Sequence, residues 1–114
     1  MRLADRHCSR CTPETPTLSD SEAREQLGQL EGWELVERDG RRHLTRTLRF
    51  KGFAPGVDLV NRIAAIAEAE GHHPDLHLTY GALTVDLTTH AAGGLTENDF
   101  ILAAKIDEDQ RANS

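Results

Sequence analysis

Asp75-Leu76-His77-Leu78-Thr79-Tyr80-Gly81-Ala82-Leu83-Thr84-Val85-Asp86-Leu87-Thr88-Thr89-His90 is the stretch that decides the fold. Leu76, Leu78 and Tyr80 alternate with polar residues, Gly81-Ala82 offers a turn, and Leu83, Val85, Leu87 and Thr89 alternate again. Side chains along a strand point to opposite faces in turn, so this is a hairpin with one apolar face, its return strand predicted to end at His90. A second hairpin lies upstream. Trp33-Glu34-Leu35-Val36 leads into Asp39-Gly40, a dipeptide suited to the positive φ angles of a tight turn, and Leu44, Leu48 and Phe50 follow. Arg46 interrupts that apolar parity, and the pattern leaves open whether it faces solvent or a partner.

Helical signals surround the hairpins. Ser19-Asp20-Ser21-Glu22 has capping-box spacing, and Ala23, Leu27 and Leu30 continue at helical intervals until Gly32. Phe53, Val57, Val60, Ile63, Ala64 and Ala67 predict one apolar face of a long helix that ends at Glu70, with Pro55 in its first turn and Gly71 as its C-cap. Thr96-Glu97-Asn98-Asp99 is a further cap, before Phe100, Ala103, Ala104 and Asp107. The order is helix, two strands, helix, two strands, helix. Hairpins in place of strand-helix-strand units predict an α+β domain, a four-stranded antiparallel sheet with three helices on one face.

The chain of 114 residues fits one domain. Residues 1–17 lack apolar periodicity and read as a tail or irregularly packed arm, with the domain over 18–110. With 13 Lys and Arg against 19 Asp and Glu, the net charge of -6 opposes binding to nucleic acid or anionic lipid. No apolar run reaches the roughly 20 residues a membrane span needs, and Met1-Arg2-Leu3-Ala4-Asp5-Arg6 lacks the apolar core of a signal peptide, so the expected location is the cytoplasm. A domain this small hides more apolar surface by self-association, so a homo-oligomer is expected. Cys8 and Cys11 form a C-x2-C pair with no second pair to complete a zinc site, and they read as two thiols in the arm.

The chemistry concentrates in Glu68-Ala69-Glu70-Gly71-His72-His73-Pro74-Asp75, with His77 and His90 beyond. Pro74 disfavours the α region for His73, which puts both adjacent histidines in an extended connector past the helix. Imidazole exchanges protons near neutral pH, so several around one pocket would suit acid-base catalysis. Taken singly, each histidine, Glu68, Tyr80 and Asp99 has an ordinary structural explanation. Zinc held by three histidines with Glu68 or Asp75 is disfavoured, because neighbours in an extended connector point apart and no H-E-x-x-H pair exists. No phosphate loop or nucleophile elbow is present.

Taken jointly, Glu68-x3-His72-His73-Pro74-x5-Tyr80-x9-His90-x8-Asp99 resembles the signature of the pterin-4a-carbinolamine dehydratase family. The resemblance extends over Leu18 to Gly32-Trp33, Phe50-x2-Phe53, and Gly94-Leu95-Thr96-Glu97-Asn98-Asp99-Phe100 through Ile106. It implies dimers formed by sheet extension, tetramers in some members through the long helix, and no metal or organic cofactor. It implies loss of water from 4a-hydroxytetrahydrobiopterin, the adduct that aromatic amino acid hydroxylases leave, giving quinonoid dihydrobiopterin for recycling. On that pattern His72, His73 and His90 transfer protons and hold the pterin, and Glu68 orients one imidazole. Pro74, Thr89, Ala91 and Ala92 match positions that contact substrate through the backbone.

Two positions depart from the family pattern. Leu76 stands where many members have Trp, and Ala91 follows His90 where an acidic residue is common; neither change removes a proton-transfer group. Similar folds also serve as a transcription-factor dimerisation cofactor and as RuBisCO assembly factors. A protein-binding scaffold is therefore the competing expectation, and retention of all three histidines favours the enzyme.

Overall fold

A computed structural model describes residues 2–113. Helices α1 (Asp20–Leu27), α2 (Ala54–Glu70) and α3 (Glu97–Ala112) alternate with two hairpins, β1 (Glu34–Arg38) with β2 (Arg41–Arg49) and β3 (Asp75–Thr79) with β4 (Ala82–Leu87). The four strands form one antiparallel sheet in the order β1-β2-β4-β3. Element order and α+β class agree with the expectation from sequence.

Local chemistry explains most boundaries. Ser19 caps α1 through the Glu22 amide, and the Glu22 carboxylate accepts the Ser19 N–H in return. Asp39 and Gly40 hold φ angles of 53° and 74°, the paired positive values of a tight hairpin turn. Gly71, at φ 66°, closes α2 in the left-handed conformation, and the His72 N–H turns back to the Ala67 carbonyl.

Register sets the two faces of the sheet. Leu48, Leu83 and Leu78 form one cross-strand row, Arg46, Val85 and Leu76 the next, then Leu44 and Leu87. This face meets Ile63 of α2 and Phe100, Ile101, Leu102 and Ile106 of α3 in the core. Complete burial of side chains such as Leu83, Val85 and Leu87 stabilises the fold by about 1.5–3 kcal/mol each. Leu76, the departure from the common Trp, packs against this core. The opposite face carries Arg38, His43, Thr45, Thr84, Asp86 and His77.

Arg46 therefore points inward among leucines, and it does so because α3 supplies a partner. The buried Asp107 carboxylate accepts from Arg46 Nη1 at 2.5 Å, from the Trp33 indole N–H at 2.7 Å and from the Glu31 amide at 3.0 Å. One carboxylate thus ties the linker after α1, strand β2 and helix α3 together.

Four details differ from the sequence reading. Helix α1 stops at Leu27 rather than reaching Gly32, and Gly28 to Leu30 continue in tight turns. The packed face of α2 is Gly56, Leu59, Ile63 and Ala67; Phe53, Val57 and Ala64 of the predicted face lie exposed. The helix carries two apolar stripes, and the one with Gly56 wins because a bare backbone there admits the side chains of Leu78 and Phe50. Tyr80 sits with Gly81 in the β3–β4 turn and is 79% exposed. Strand β4 ends at Leu87, and His90 opens a turn closed by amides of Ala92, Gly93 and Gly94 on the Thr89 carbonyl.

Residues 3–11 run along α3. Leu3 is buried in the core, Lys105 Nζ donates to the Ala4 carbonyl, and Arg6 pairs with Glu97. No helix among the described residues is long and apolar enough to cross a membrane.

Candidate active site

His72 and His73 leave the C-cap of α2 in opposite directions, as adjacent residues of an extended connector must. His72 turns inward, its side chain only 11% exposed; His73 turns out and is 60% exposed. His90, on the turn after β4, completes the group. All three line one hollow of about 510 Å³ with Thr88, Thr89 and Ala91 on one side and Gly71 and Glu70 on the other.

Each imidazole has one nitrogen already engaged. His72 Nε2 donates to Asp99 Oδ1 at 2.6 Å, and His73 Nε2 donates to Glu68 Oε2 at 2.5 Å, because an ionised carboxylate can only accept. His90 Nδ1 lies 2.8 Å from Arg41 Nη1, a group that can only donate. The free nitrogens are therefore Nδ1 of His72, Nδ1 of His73 and Nε2 of His90. Two rings backed by carboxylates and one backed by a guanidinium face the same space.

Asp99 is fully buried, and its second oxygen accepts the Thr89 hydroxyl at 2.8 Å and the Thr96 N–H at 3.0 Å. The same carboxylate thus caps α3 and holds His72, so a helix-start signal and a site residue coincide. Its capping role was legible; its contact with His72 joins residues 27 apart and had no local signal.

The fourth wall comes from the N-terminal arm. Cys8, Ser9, Arg10, Cys11 and Asn98 line the hollow, and none was expected there from sequence. Buried Asn98 exchanges two hydrogen bonds with the Ser9 backbone, at 2.6 and 3.1 Å, and Glu70 accepts the Cys8 amide at 2.7 Å and pairs with His7 at 2.9 Å. Burial pushes the Glu70 carboxyl up, but the Cys8 amide, His7 and Lys105 outweigh it and hold it below the ordinary carboxylate value. Burial pushes the Cys8 thiol up to about 12, reinforced by Glu70 and Asp99, so this sulfur is a packed thiol and not a thiolate.

Of the other residues named from sequence, Glu68 reaches the site only through His73 and is itself exposed. Pro74 and Ala92 adjoin lining residues in sequence but are not among those that wall the hollow. Tyr80 lies at the far end of β3. Asp75 and His77 instead border a second hollow of about 540 Å³ on the open sheet face, with Arg38, His43 and Asp86. Among the described residues no three His, Cys, Asp or Glu side chains are grouped to hold a metal ion.

The family model for pterin 4 alpha carbinolamine dehydratase matches residues 16–108. The chain is 44% identical to pterin-4-alpha-carbinolamine dehydratase 2, mitochondrial, of Arabidopsis thaliana over 93% of its own length and 59% of that protein's. It is 42% identical to a Nitrosococcus oceani relative carrying the same family name, over 93% and 94% of the two chains. Among solved structures, a transcriptional coactivator/pterin dehydratase from Brucella melitensis superposes with a TM-score of 0.75 and 36% identity, over 82% of this chain and 97% of that one. A pterin dehydratase-like RuBisCO assembly factor of the alpha-carboxysome shares the fold at a TM-score of 0.57 and 19% identity, over 68% of this chain and 88% of that one. The chain belongs to the pterin-4a-carbinolamine dehydratase family of hydro-lyase enzymes.

Proposed function

We propose that the chain removes water from 4a-hydroxytetrahydrobiopterin, giving quinonoid dihydrobiopterin, by general acid-base catalysis in the hollow of His72, His73 and His90. The observation that carries this reading is the convergence of three imidazoles, each with one free ring nitrogen, on one space.

The hydroxyl on carbon 4a leaves readily only as water, so an acid must protonate it while a base takes a ring proton. Carboxylates behind His72 and His73 suit both tasks. Each stabilises its ring when that ring carries the extra proton, and each occupies Nε2–H so that Nδ1 is the nitrogen left to accept or deliver. One of the pair enters protonated on Nδ1 and gives that proton to the departing hydroxyl, the other enters neutral and takes the ring proton on its Nδ1, and the net proton count is unchanged. The neutral His90 ring offers Nε2–H to hold an acceptor atom of the pterin. The reaction on this reading calls for no metal or organic cofactor, and the product re-enters a hydroxylase cycle.

An oligomer fits the same reading. Phe53 and Val57 remain exposed along α2, and β1 and β3 are free sheet edges within the chain. The test is the rate of water loss from freshly generated 4a-hydroxytetrahydropterin. Acceleration is expected, with His73→Ala losing ~10²–10⁴-fold in turnover; a rate equal to the uncatalysed one would remove the enzyme reading.

A further inference from the structure

We infer that Arg41 is a positioning residue that locks His90 in its Nε2–H tautomer, so that His90 meets the substrate as a hydrogen-bond donor and not as a base. The inference deepens the dehydratase reading and rests on it.

Arg41 opens β2 directly after the Asp39-Gly40 turn, and its Nη1 stands 2.8 Å from His90 Nδ1 across 49 residues of sequence. A guanidinium carries five N–H donors, no acceptor, and a permanent charge. Nδ1 of His90 must therefore present its lone pair, because a proton there would set two donors against each other. The ring's single hydrogen then sits on Nε2, the nitrogen left free.

The backbone holding these two side chains together is itself tied. Buried Thr88, two residues before His90, donates its hydroxyl to the Arg42 carbonyl at 2.8 Å. Arg42 in turn pairs with Asp20 at the start of α1. His90 is anchored on its other side by the turn amides that close on the Thr89 carbonyl. The Arg41–His90 distance is thus set by two braced segments, although both side chains reach solvent.

The consequence is a division of labour across the hollow. His72 and His73 keep Nδ1 for proton transfer, since their Nε2–H groups are spent on Asp99 and Glu68, so each alternates between donor and acceptor through the reaction. His90 keeps a fixed donor at Nε2 throughout. A pterin carries both kinds of complement, N–H groups on its ring and oxygens at its carbonyl and hydroxyl, so one fixed donor beside two proton-transferring rings fixes which edge faces which wall. Arg41 would accordingly act on orientation through His90 without touching substrate.

The test is nitrogen-15 NMR of the histidine rings in the free protein above pH 7, together with kinetics, on wild type, Arg41→Ala and Arg41→Lys. Wild type should show His90 as a single Nε2–H tautomer, Arg41→Ala a mixture, and Arg41→Lys, which keeps a cationic donor, a largely preserved Nε2–H form. Loss of kcat/KM in Arg41→Ala should be about 10- to 100-fold, the worth of one charge-assisted hydrogen bond, with partial rescue in Arg41→Lys and unchanged thermal stability. A tautomer mixture in wild type, or no change in Arg41→Ala, overturns the inference. A tautomer change without a kinetic effect overturns the positioning role. The ring spectra need no substrate, so a protein that fails to dehydrate the pterin yet shows the locked ring would sink the dehydratase reading and not the Arg41 contact.

Discussion

Replacing Asp99 by Asn isolates the effect of charge behind His72, because size and shape are nearly unchanged. Asp99 accepts three hydrogen bonds in a fully buried setting, from His72 Nε2–H, the Thr89 hydroxyl and the Thr96 amide. Asn keeps one accepting oxygen. The arrangement that satisfies most groups leaves that oxygen on Thr89 and Thr96, where two donors converge, and turns the amide NH2 to His72. Nε2 must then accept, the ring proton moves to Nδ1, and the nitrogen left for proton transfer is no longer a free acceptor. The structural cost is roughly 1–3 kcal/mol for a disturbed buried group. At about 4–8 °C per kcal/mol for a domain near this size, the melting temperature should fall by roughly 4–24 °C. Turnover should fall far more, ~10²–10⁴-fold, because the ring can no longer take or deliver a proton in the right place. Stopped-flow dehydration kinetics at a temperature where the variant stays folded, paired with calorimetry, separate the two effects. A lower melting temperature with unchanged kcat would show that Asp99 is only a helix cap and refute the reasoning.

Three further outcomes follow from the same geometry. Asp107→Ala removes the shared acceptor of Arg46, Trp33 and Glu31 and leaves the half-buried Arg46 without its partner, so it should cost about 3–5 kcal/mol in urea unfolding followed by the fluorescence of Trp33, the single tryptophan. The Cys8 thiol, raised from 9.0 to about 12, carries ~10³-fold less thiolate than an unperturbed cysteine. Iodoacetamide should therefore label Cys8 far more slowly in the folded protein than in urea. Glu70, held below its unfolded value, contributes stability that is present above roughly pH 4.3 and is lost as pH falls through its lower folded value. The stability gap between wild type and Glu70→Gln should accordingly be open near neutrality and close in acid; a gap that widens in acid would contradict this.

Local signals carried the fold a long way. Two capping boxes, the Asp39-Gly40 turn and Gly71 each act over four residues or fewer, which is why α1, α2, α3 and both hairpins could be placed in order. Failures arose where distant partners decide. Arg46 looks misplaced among leucines until Asp107, 61 residues away, supplies its charge. The face of α2 was read only in part: Ile63 and Ala67 of the predicted face are buried, whereas Phe53, Val57 and Ala64 lie exposed and Leu59 takes the packed place, a choice that packing against β3 and α3 makes. The site divided in the same way. His72, His73 and His90 were identifiable as residue types, whereas Arg41 behind His90 and the arm's Cys8 and Asn98 on the wall depend on contacts across 49 to 90 residues.

The chain's six histidines provide the most direct test of the central claim, since two of them border the competing hollow on the open sheet face. Nitrogen-15 NMR of the rings during titration with a stable dihydropterin should move His72, His73 and His90 together along one binding curve while His43 and His77 stay fixed. Movement of His43 and His77 instead, or of only one of the three, would contradict a shared pterin site.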